Sequence, residues 1–477
     1  MLGRARHFLA RDPLQGHGQD RHRLEGPPHP LAGRLRAQYG DVVLSAGRLT
    51  GVGVVLAVSL GVVAVASGAA VPATGGDQLV ERLGIPHDDG VLEWTAVPVG
   101  SRVLFGFVVY PTAPGLGGFQ PGCKAKPSRG YLAVRHSSGR LAALGRIDPL
   151  AAAPVAGAGR IATLVYKRNC KGSPVNDGGS LPLERLRLER GTIRHAGAHS
   201  RMLASNAEPY GATVVADGRG DIAAAWLQPD ARRDFERSDR LMISVGTMAG
   251  TMSKPQMLAP TVTDVRLAWA SDGELLAAYS TGAHVEVRSR PRGGSFSPPL
   301  VLAPTRCCSL DLDIAVGPRG RAAVVWGAQA SGIEVDSPWQ VRASVRPAAH
   351  RAFPRAILLD PGHSPRRQGT PVSVRIGTDD LITIAWTSDR GHRAVLVAIA
   401  DARGHVITRQ TLATGGRNLY VTAAPGGGTL LHWRTLSGQA RQAVRRPHAT
   451  RFGRSSIASS LAGQAEGILL TDSRTGE

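Results

Sequence analysis

The sequence predicts an all-β fold built from repeated four-stranded units, and three observations support this prediction. Seven aromatic residues each end a short apolar run, and they are spaced by 56, 60, 53, 47, 60 and 47 residues. In the five later copies the run opens on Gly or Asp six residues before the aromatic residue, as expected for a strand that leaves a tight turn. Gly and Pro are abundant, at 59 and 32 of 477 residues, and no long segment after residue 75 has sustained helical periodicity. A strand-and-turn repeat of this length indicates a solenoid or a propeller.

The unit that begins at Leu312 shows how four strands arise. Ile314 and Val316 alternate on a first strand, the segment GPRG forms a turn, and RAAVVW returns as a second strand that ends at Trp326. WQVRASVR follows as a third strand and FPRAILLD as a fourth. The same order predicts seven units, at about 90–149, 150–205, 208–260, 262–304, 308–360, 370–413 and 417–460, with a ring-closing strand within 461–477.

Stacking of these units predicts a closed ring over residues 85–477. A single four-stranded sheet cannot bury both of its faces, whereas sheets that stand face to face around an axis cover one another. The small residues of DIAAAW and RAAVVW fit where the sheets crowd together, and the aromatic residue fills the wider part of each gap. We therefore predict a structural role for the seven aromatic residues: Tyr110, Tyr166, Trp226, Tyr279, Trp326, Trp386 and Trp433.

These strands, turns and aromatic positions resemble the blades of secreted bacterial β-propellers, broadly the sialidase-like and WD40-like group, over residues 85–460. The resemblance implies a seven-bladed β-propeller of four-stranded antiparallel blades. Sialidases of this group carry Asp-box turns of the form Ser-x-Asp-x-Gly-x-Thr-Trp and three arginines that grip a carboxylate. The turns here read ADGRGDIAAAW, SDGELLAAY and GPRGRAAVVW, and none keeps that order. No catalytic residue is therefore carried over, and no cofactor or metal is predicted.

One apolar helix is predicted ahead of the propeller. The 23 residues from Leu49 to Val71 carry no charge, which is long enough to cross a bilayer. Arginines precede the segment and acids follow it, so the positive-inside rule places the bulk of the chain outside the cytoplasm. The segment is either a signal anchor or the core of a signal peptide cleaved after small residues near 70 or 73.

On either interpretation residues 1–48 form a basic, disordered tail, residues 72–84 form a linker, and the protein is extracytoplasmic. The basic lead is long for a signal peptide, so a true start at Val42 or Val43 is a further hypothesis.

The four cysteines agree with export. Cys123 and Cys170 lie in equivalent loops of neighbouring units, so a disulfide between them is predicted, with metal binding as the alternative. No CxxC or paired His accompanies them. The adjacent Cys307 and Cys308 form either a strained vicinal disulfide or two buried thiols.

The net charge of +21 favours anionic partners, with a solvated basic surface as the alternative. The segment RRPHATRFGR supplies a candidate anion-binding patch, which consists of Arg445, Arg446, Arg451 and Arg454. It lacks interleaved aromatic residues, so nucleic acid is not the expected partner. Asp311 and Asp313 alternate onto one strand face, where a carboxylate pair could serve acid–base chemistry or bind Ca²⁺, although a turn explains them at least as well.

Together these observations predict a non-enzymatic binding or scaffold module, which is exported and crosses the membrane once if the apolar segment is kept. Its expected partner is a protein, an anionic glycan or a cell-wall polymer. The alternative is a sialidase-like, glycan-active enzyme with its site at the mouth of the central channel. Such an enzyme requires a carboxylate pair, or a carboxylate and a Tyr, beside several arginines at that mouth.

Overall fold

In the computed structural model, the described residues form strands and turns within one compact unit, Ala70–Glu477. They are residues 90–99, 102–110, 129–135, 141–147, 155–157, 160–164, 167–168, 179–189, 192–195, 201–205, 208–229, 239–304, 309–329, 338–362, 372–388, 393–424, 427–437 and 439–457. Among them there is no α-helix, and a 3-10 turn lies at Pro318–Gly320. The prediction of an all-β fold is confirmed for this part of the chain.

The strands form antiparallel sheets, which we number in chain order. Sheet 1 contains β1 Gly90–Val99, β2 Arg102–Tyr110, β3 Arg129–Arg135 and β4 Leu141–Ile147. Sheet 2 contains β5 Val155–Gly157, β6 Arg160–Leu164, β7 Lys167–Arg168, β8 Gly179–Glu189, β9 Thr192–His195 and β10 Arg201–Ser205. Sheet 3 contains β11 Glu208–Ala216, β12 Asp221–Pro229, β13 Asp239–Thr247 and β14 Gln256–Val262.

The remaining sheets repeat the pattern of sheet 3. Sheet 4 contains β15 Asp264–Trp269, β16 Leu275–Ser280, β17 His284–Arg290 and β18 Leu300–Pro304. Sheet 5 contains β19 Ser309–Val316, β20 Ala322–Gln329, β21 Trp339–Arg346 and β22 Ile357–Asp360. Sheet 6 contains β23 Val372–Ile376, β24 Ile382–Ser388, β25 Ala394–Ala400 and β26 Val406–Ala413. Sheet 7 contains β27 Gly416–Ala423, β28 Thr429–Thr435, β29 Ala440–Arg445 and β30 Ser456–Ile457.

Sheet 2 differs from the four strands that the sequence predicts. It has six strands, because β8 is 11 residues long and pairs with two short partners along each edge. On one edge β6 and β7 pair with successive parts of β8, and on the other edge β10 and β9 do the same. In sheet 1 and in sheets 3–7, four strands lie side by side in chain order.

Neighbouring sheets contact one another through their first strands. β11 contacts β15, β15 contacts β19, β19 contacts β23, and β23 contacts β27. The short strand β5 contacts both β1 and β11. First strands that adjoin in this way, with the other three strands extending outward, make the arrangement β-propeller-like.

The second strand of each of sheets 3–6 packs against the sheets on both sides, and that of sheet 7 packs against sheet 6. In sheets 3–6 its side chains alternate between the two gaps, because successive residues of a strand point to opposite faces. In β12, Ala224 and Trp226 pack against sheet 2, whereas Ala225 packs against sheet 4. The aromatic residue always enters the gap to the preceding sheet. Those with described side chains are at most 2% exposed and are Trp226, Tyr279, Trp326, Trp386 and Trp433.

The residue six positions before each of these aromatics has a positive φ. The angles are 90° at Gly220, 89° at Gly273, 67° at Gly320, 64° at Asp380 and 82° at Gly427. This left-handed conformation suits Gly and is tolerated by Asp. The Gly-or-Asp rule in the sequence therefore reports a backbone requirement of the turn between the first two strands.

The buried indole N–H groups are treated differently from gap to gap. Nε1 of Trp386 donates to Oδ2 of Asp360 at 2.9 Å. The Nε1 atoms of Trp226, Trp326 and Trp433 are buried, and they have no hydrogen-bond partner among the described residues. A buried donor left unpaired costs roughly 1–3 kcal/mol.

Several predicted features lie outside the described residues. They are the apolar helix Leu49–Val71, Tyr166, the four cysteines and the closing strand within 461–477. Tyr110 is the last residue of β2. Within the described ranges, no helix has the length and apolar character needed to cross a membrane.

We expect Trp386→Phe to destabilise the protein more than Trp226→Phe, by about 1–3 kcal/mol. The two changes remove the same atoms, but only the first takes a donor away from a buried carboxylate oxygen, Oδ2 of Asp360. Urea unfolding followed by circular dichroism gives the two free energies of unfolding. Equal losses in the two variants would show that the hydrogen bond of Trp386 contributes nothing to stability.

Candidate functional site

A pocket of about 440 Å³ lies between sheets 4 and 5. One wall is apolar and is formed by Leu302–Pro304 on β18. The polar groups that line it come from sheet 5 and are Gln329, Gln340, Arg342 and Arg355. Its volume falls within the range of roughly 300–1,000 Å³ that is typical of small-molecule sites.

The pocket presents fixed hydrogen-bond donors. Oε1 of Gln340 accepts bonds from Nε and Nη2 of Arg342 at 3.2 and 2.9 Å, which orients the guanidinium group. Trp326 also lines the pocket, and its buried Nε1–H is one of the donors without a partner. The described residues that line the pocket include no carboxylate. Guanidinium and indole donors are complementary to an anion.

The register of the sheets explains why Arg342 lies there. In the third strand, the residue paired directly with the aromatic shares its gap: it is Met242 opposite Trp226 and Leu396 opposite Trp386. Those apolar residues pack with the core clusters of their gaps. In sheet 5 the corresponding residue is Arg342, so the gap holds charge instead. Sequence reasoning missed Arg342, Arg355 and Gln340, because only the cross-strand pairing links them to the aromatic repeat.

A second polar cluster lies on the first strands of sheets 4 and 5. Oδ1 of Asp264 accepts from Nη1 of Arg266 at 2.5 Å and from the backbone N–H of Val265 at 2.8 Å. Burial raises the pKa of Asp264 to about 6; Arg266 acts against this rise, and the nearby charge of Asp311 adds to it. Burial also raises the pKa of Asp311, again opposed by Arg266. Two carboxyl groups of raised pKa beside one arginine are a candidate acid–base group.

Asp313 has a structural task instead. Its Oδ2 accepts from Oγ of Ser373 at 3.0 Å and from the backbone N–H of Val374 at 2.8 Å. Oγ of Ser373 in turn accepts from the backbone N–H of Val421 at 3.2 Å. These bonds link the first strands of sheets 5, 6 and 7 and satisfy N–H groups at strand edges. Arg266 acts against the raised pKa of both Asp311 and Asp313, which the sequence pairs on one strand face, but Asp313 also bonds to the first strand of sheet 6.

Buried ion pairs join neighbouring sheets at the turns. Nη2 of Arg346 lies 2.7 Å from Oε2 of Glu274, and Nη1 of Arg445 lies 2.7 Å from Oδ2 of Asp379. All four side chains are less than 5% exposed. Removing one partner of such a pair would leave a buried charge without compensation, so these arginines are part of the scaffold.

The candidate anion-binding patch is therefore altered by the structure. Arg445 is fully buried and paired with Asp379, so it is not available to a ligand. Arg446, Arg451 and Arg454 are exposed. For these three residues anion binding stays a prediction.

One group in the described part of the chain has the composition of a metal site. Ligand atoms of Asp272, Glu274 and His350 lie within 4.8 Å of one another. Glu274 is already neutralised by Arg346, whose guanidinium would compete with a cation. We therefore assign no metal to this group.

Comparisons with known proteins give only distant likenesses. No protein-family model and no curated protein sequence matches the chain. Among solved structures, an ulvan lyase, described as a new family of polysaccharide lyase, is similar over 80% of this chain and 98% of its own, with 10% identity and a TM-score of 0.45. The BP39L lectin from Burkholderia pseudomallei is similar over 62% of this chain and 79% of its own, with 12% identity and a TM-score of 0.44.

The NanB sialidase from Streptococcus pneumoniae is similar over 72% of this chain, with 9% identity and a TM-score of 0.38. This chain covers 65% of the sialidase chain. Likenesses this weak carry no function, which has to be argued from the residues of the chain itself.

We expect Asp264→Asn to become relatively more stabilising as the pH rises from 4 to 7. A carboxyl group whose pKa is raised from 3.8 to about 6 binds its proton more tightly in the folded chain. Its contribution to stability is therefore present at low pH and is lost as the pH rises through that window, by about 3 kcal/mol in all. Free energies of unfolding of both proteins at several pH values give the difference.

Asp401→Asn is the control of opposite sign. Partial burial opposes ionisation of Asp401, but hydrogen bonds from the backbone N–H groups of His405 and Arg403 hold its pKa below the ordinary value. That variant should lose stability relative to the parent as the pH rises. A pH-independent difference for Asp264→Asn would contradict the assignment of Asp264.

Proposed function

We propose that this chain is an exported, seven-bladed β-propeller that binds an anionic glycan or cell-wall polymer through the pocket between sheets 4 and 5. The observation that carries the proposal is the chemistry of the pocket. It offers the guanidinium of Arg342, the exposed Arg355 and the unpaired indole N–H of Trp326, and its described lining holds no carboxylate. A negatively charged ligand would pair with the two guanidinium groups, and we propose that it also accepts a hydrogen bond from the indole N–H.

The wider charge of the protein supports an anionic partner. A net charge of +21 attracts polyanions over a distance set by the ionic strength, at about 10 Å in 0.1 M salt. The amide of Gln329 can donate to and accept from the hydroxyl groups of a sugar, and the NH₂ group of Gln340, whose Oε1 already accepts from Arg342, can donate to them. The apolar wall Leu302–Pro304 suits the C–H face of a sugar ring.

The architecture and export complete the proposal. Seven sheets follow one another along the chain, and their first strands adjoin where contacts are described, which favours a ring of seven blades. The uncharged segment Leu49–Val71, with arginines before it and acids after it, favours an outward location of the propeller. Digestion of the propeller by protease added to intact cells tests that orientation, and full protection would refute it.

We expect Arg342→Ala to weaken binding of an anionic polysaccharide about tenfold or more, because a charge-assisted hydrogen bond contributes roughly 1.5–3 kcal/mol. The measurement is isothermal titration calorimetry with the best ligand from an array of carboxylated, sulfated and neutral glycans. Arg403→Ala is the matched control, since it removes one positive charge from a separate exposed turn. Equal weakening in both variants would point to non-specific charge attraction and would reject the pocket.

A second candidate function is favoured by the cluster around Asp264. The carboxyl groups of Asp264 and Asp311 lie beside Arg266 on adjacent first strands, which is the kind of group a glycan-cleaving enzyme uses. Under this alternative the protein should release the fluorophore from some member of a fluorogenic glycoside panel between pH 4 and 7. Asp311→Asn should abolish that release while leaving binding at the pocket unchanged. Absence of turnover across the panel would leave the binding module as the function.

A further inference from the structure

The key residues of the pocket recur between sheets 6 and 7. Trp326 pairs directly with Arg342 across strands β20 and β21, and Trp433 pairs in the same way with Arg441 across β28 and β29. Both indoles are buried, and neither Nε1–H has a hydrogen-bond partner. Nη2 of Arg441 donates to Oγ of Ser455 at 3.2 Å, while its Nε is buried without a partner.

The rest of the pocket recurs with the same register. Arg355 lies three residues before Leu358, which pairs with Arg342. Arg454 lies three residues before Ile457, which pairs with Arg441. The wall residues Leu302–Ala303 correspond to Leu412–Ala413. Ala303 pairs with Val285 and Ala413 pairs with Val395, and in both third strands a register shift lies next to that pair. A glutamine also lies two residues before Arg342 and two residues before Arg441. Arg454 of the candidate anion-binding patch thereby acquires a defined place.

The gap between sheets 5 and 6 shows what belongs at this position. There Asp360 takes the place of Ala303 and Ala413, because it pairs with Val341 next to the same irregularity. Its Oδ2 accepts the hydrogen bond of the Trp386 indole at 2.9 Å. The residue opposite Trp386 is Leu396 rather than an arginine. In this gap the protein supplies its own carboxylate, and the indole is satisfied.

Comparison of the three gaps defines the ligand. Where Ala replaces Asp360, the indole N–H is left unpaired and an arginine stands opposite the tryptophan. Loss of an internal carboxylate and gain of a guanidinium at the same place make these two gaps complementary to a carboxylate from outside. We propose that the gaps between sheets 4 and 5 and between sheets 6 and 7 are paired sites for the uronate carboxylates of an acidic glycan, each occupying the place of the Asp360 carboxylate.

This inference rests on the proposed function and names its ligand class. A glycan is favoured over an acidic peptide because glutamine amides and an apolar wall accompany the donors in the pocket between sheets 4 and 5. Hydroxyl groups of a sugar can pair with both amides, and the C–H face of the same ring can lie on the apolar wall. One polymer that engages both sites would bind more tightly than either site alone, by effective concentration.

The decisive experiment observes the indole N–H groups of the full chain by NMR. The chain has seven tryptophans, and their ¹⁵N-indole resonances are assigned with single Trp→Phe variants. Oligogalacturonate should shift the resonances of Trp326 and Trp433 and leave that of Trp386 in place. Its methyl ester, which has the same sugar rings without the charge, should shift neither. Absence of shifts at Trp326 and Trp433, or equal shifts with the ester, would overturn the inference.

Variants test each site separately. Arg342→Gln and Arg441→Gln should each lower the calorimetric stoichiometry for short oligogalacturonate from two sites to one, with affinity at the altered site reduced about tenfold or more. Arg403→Gln, the control, should keep both sites. Ala303→Asp supplies an internal carboxylate where Asp360 stands in the next gap, so it should shift the Trp326 resonance without ligand and remove that site. If Ala303→Asp does not fold, the glutamine variants still decide.

Failure of this inference is distinguishable from failure of the proposed function. Binding of a sulfated polymer without any indole shift would overturn the carboxylate sites and leave an anion-binding module standing. A stoichiometry of one that is insensitive to Arg441→Gln would overturn the pairing of sites. Indole shifts caused by oligoglutamate but not by oligogalacturonate would overturn the glycan assignment. Lack of binding to every anionic polymer would remove the proposed function itself.

Discussion

Each of sheets 3–7 has two faces that must be removed from water, and this requirement governs the rest of the structure. Neither face can be covered within one sheet, so every sheet depends on its neighbours. The second strand contributes buried side chains to both faces, since its successive side chains enter opposite gaps. Small residues such as Ala224 and Ala225 let the sheets approach, and one aromatic residue per sheet fills the wider part of the gap.

Because the sheets approach closely, polar groups at the gaps between them must pair with groups of the neighbouring sheet. Edge N–H groups of the first strands are satisfied by side chains of the preceding sheet, as Asp313 does for Val374 and Ser373 does for Val421. Buried arginines such as Arg346 are neutralised by acids of the adjacent sheet. Part of the high arginine content is therefore structural, and the count of basic residues overstates the charge that a ligand meets.

Against this uniform background, the departures are informative. Met242 and Leu396 complete the apolar packing beside their tryptophans, whereas Arg342 and Arg441 at the same register do not. A buried donor that the fold leaves unpaired is costly, and at Trp326 and Trp433 an arginine stands beside it. The unpaired indoles beside these arginines mark the two gaps that we propose as ligand sites.

The sequence by itself determined the features that are local or periodic. The left-handed turn residues and the alternation of the second strands are written in short segments, so the all-β class, the four-stranded units and the buried aromatics could be predicted from them. The six strands of sheet 2 could not be predicted, because the long strand β8 pairs with two short strands along each edge and the sequence does not show this pairing. The roles of the arginines could not either. Arg445 pairs with Asp379 66 residues away, and the pocket lies between strands of two sheets, so only the tertiary structure decided which charges are neutralised and which line a pocket.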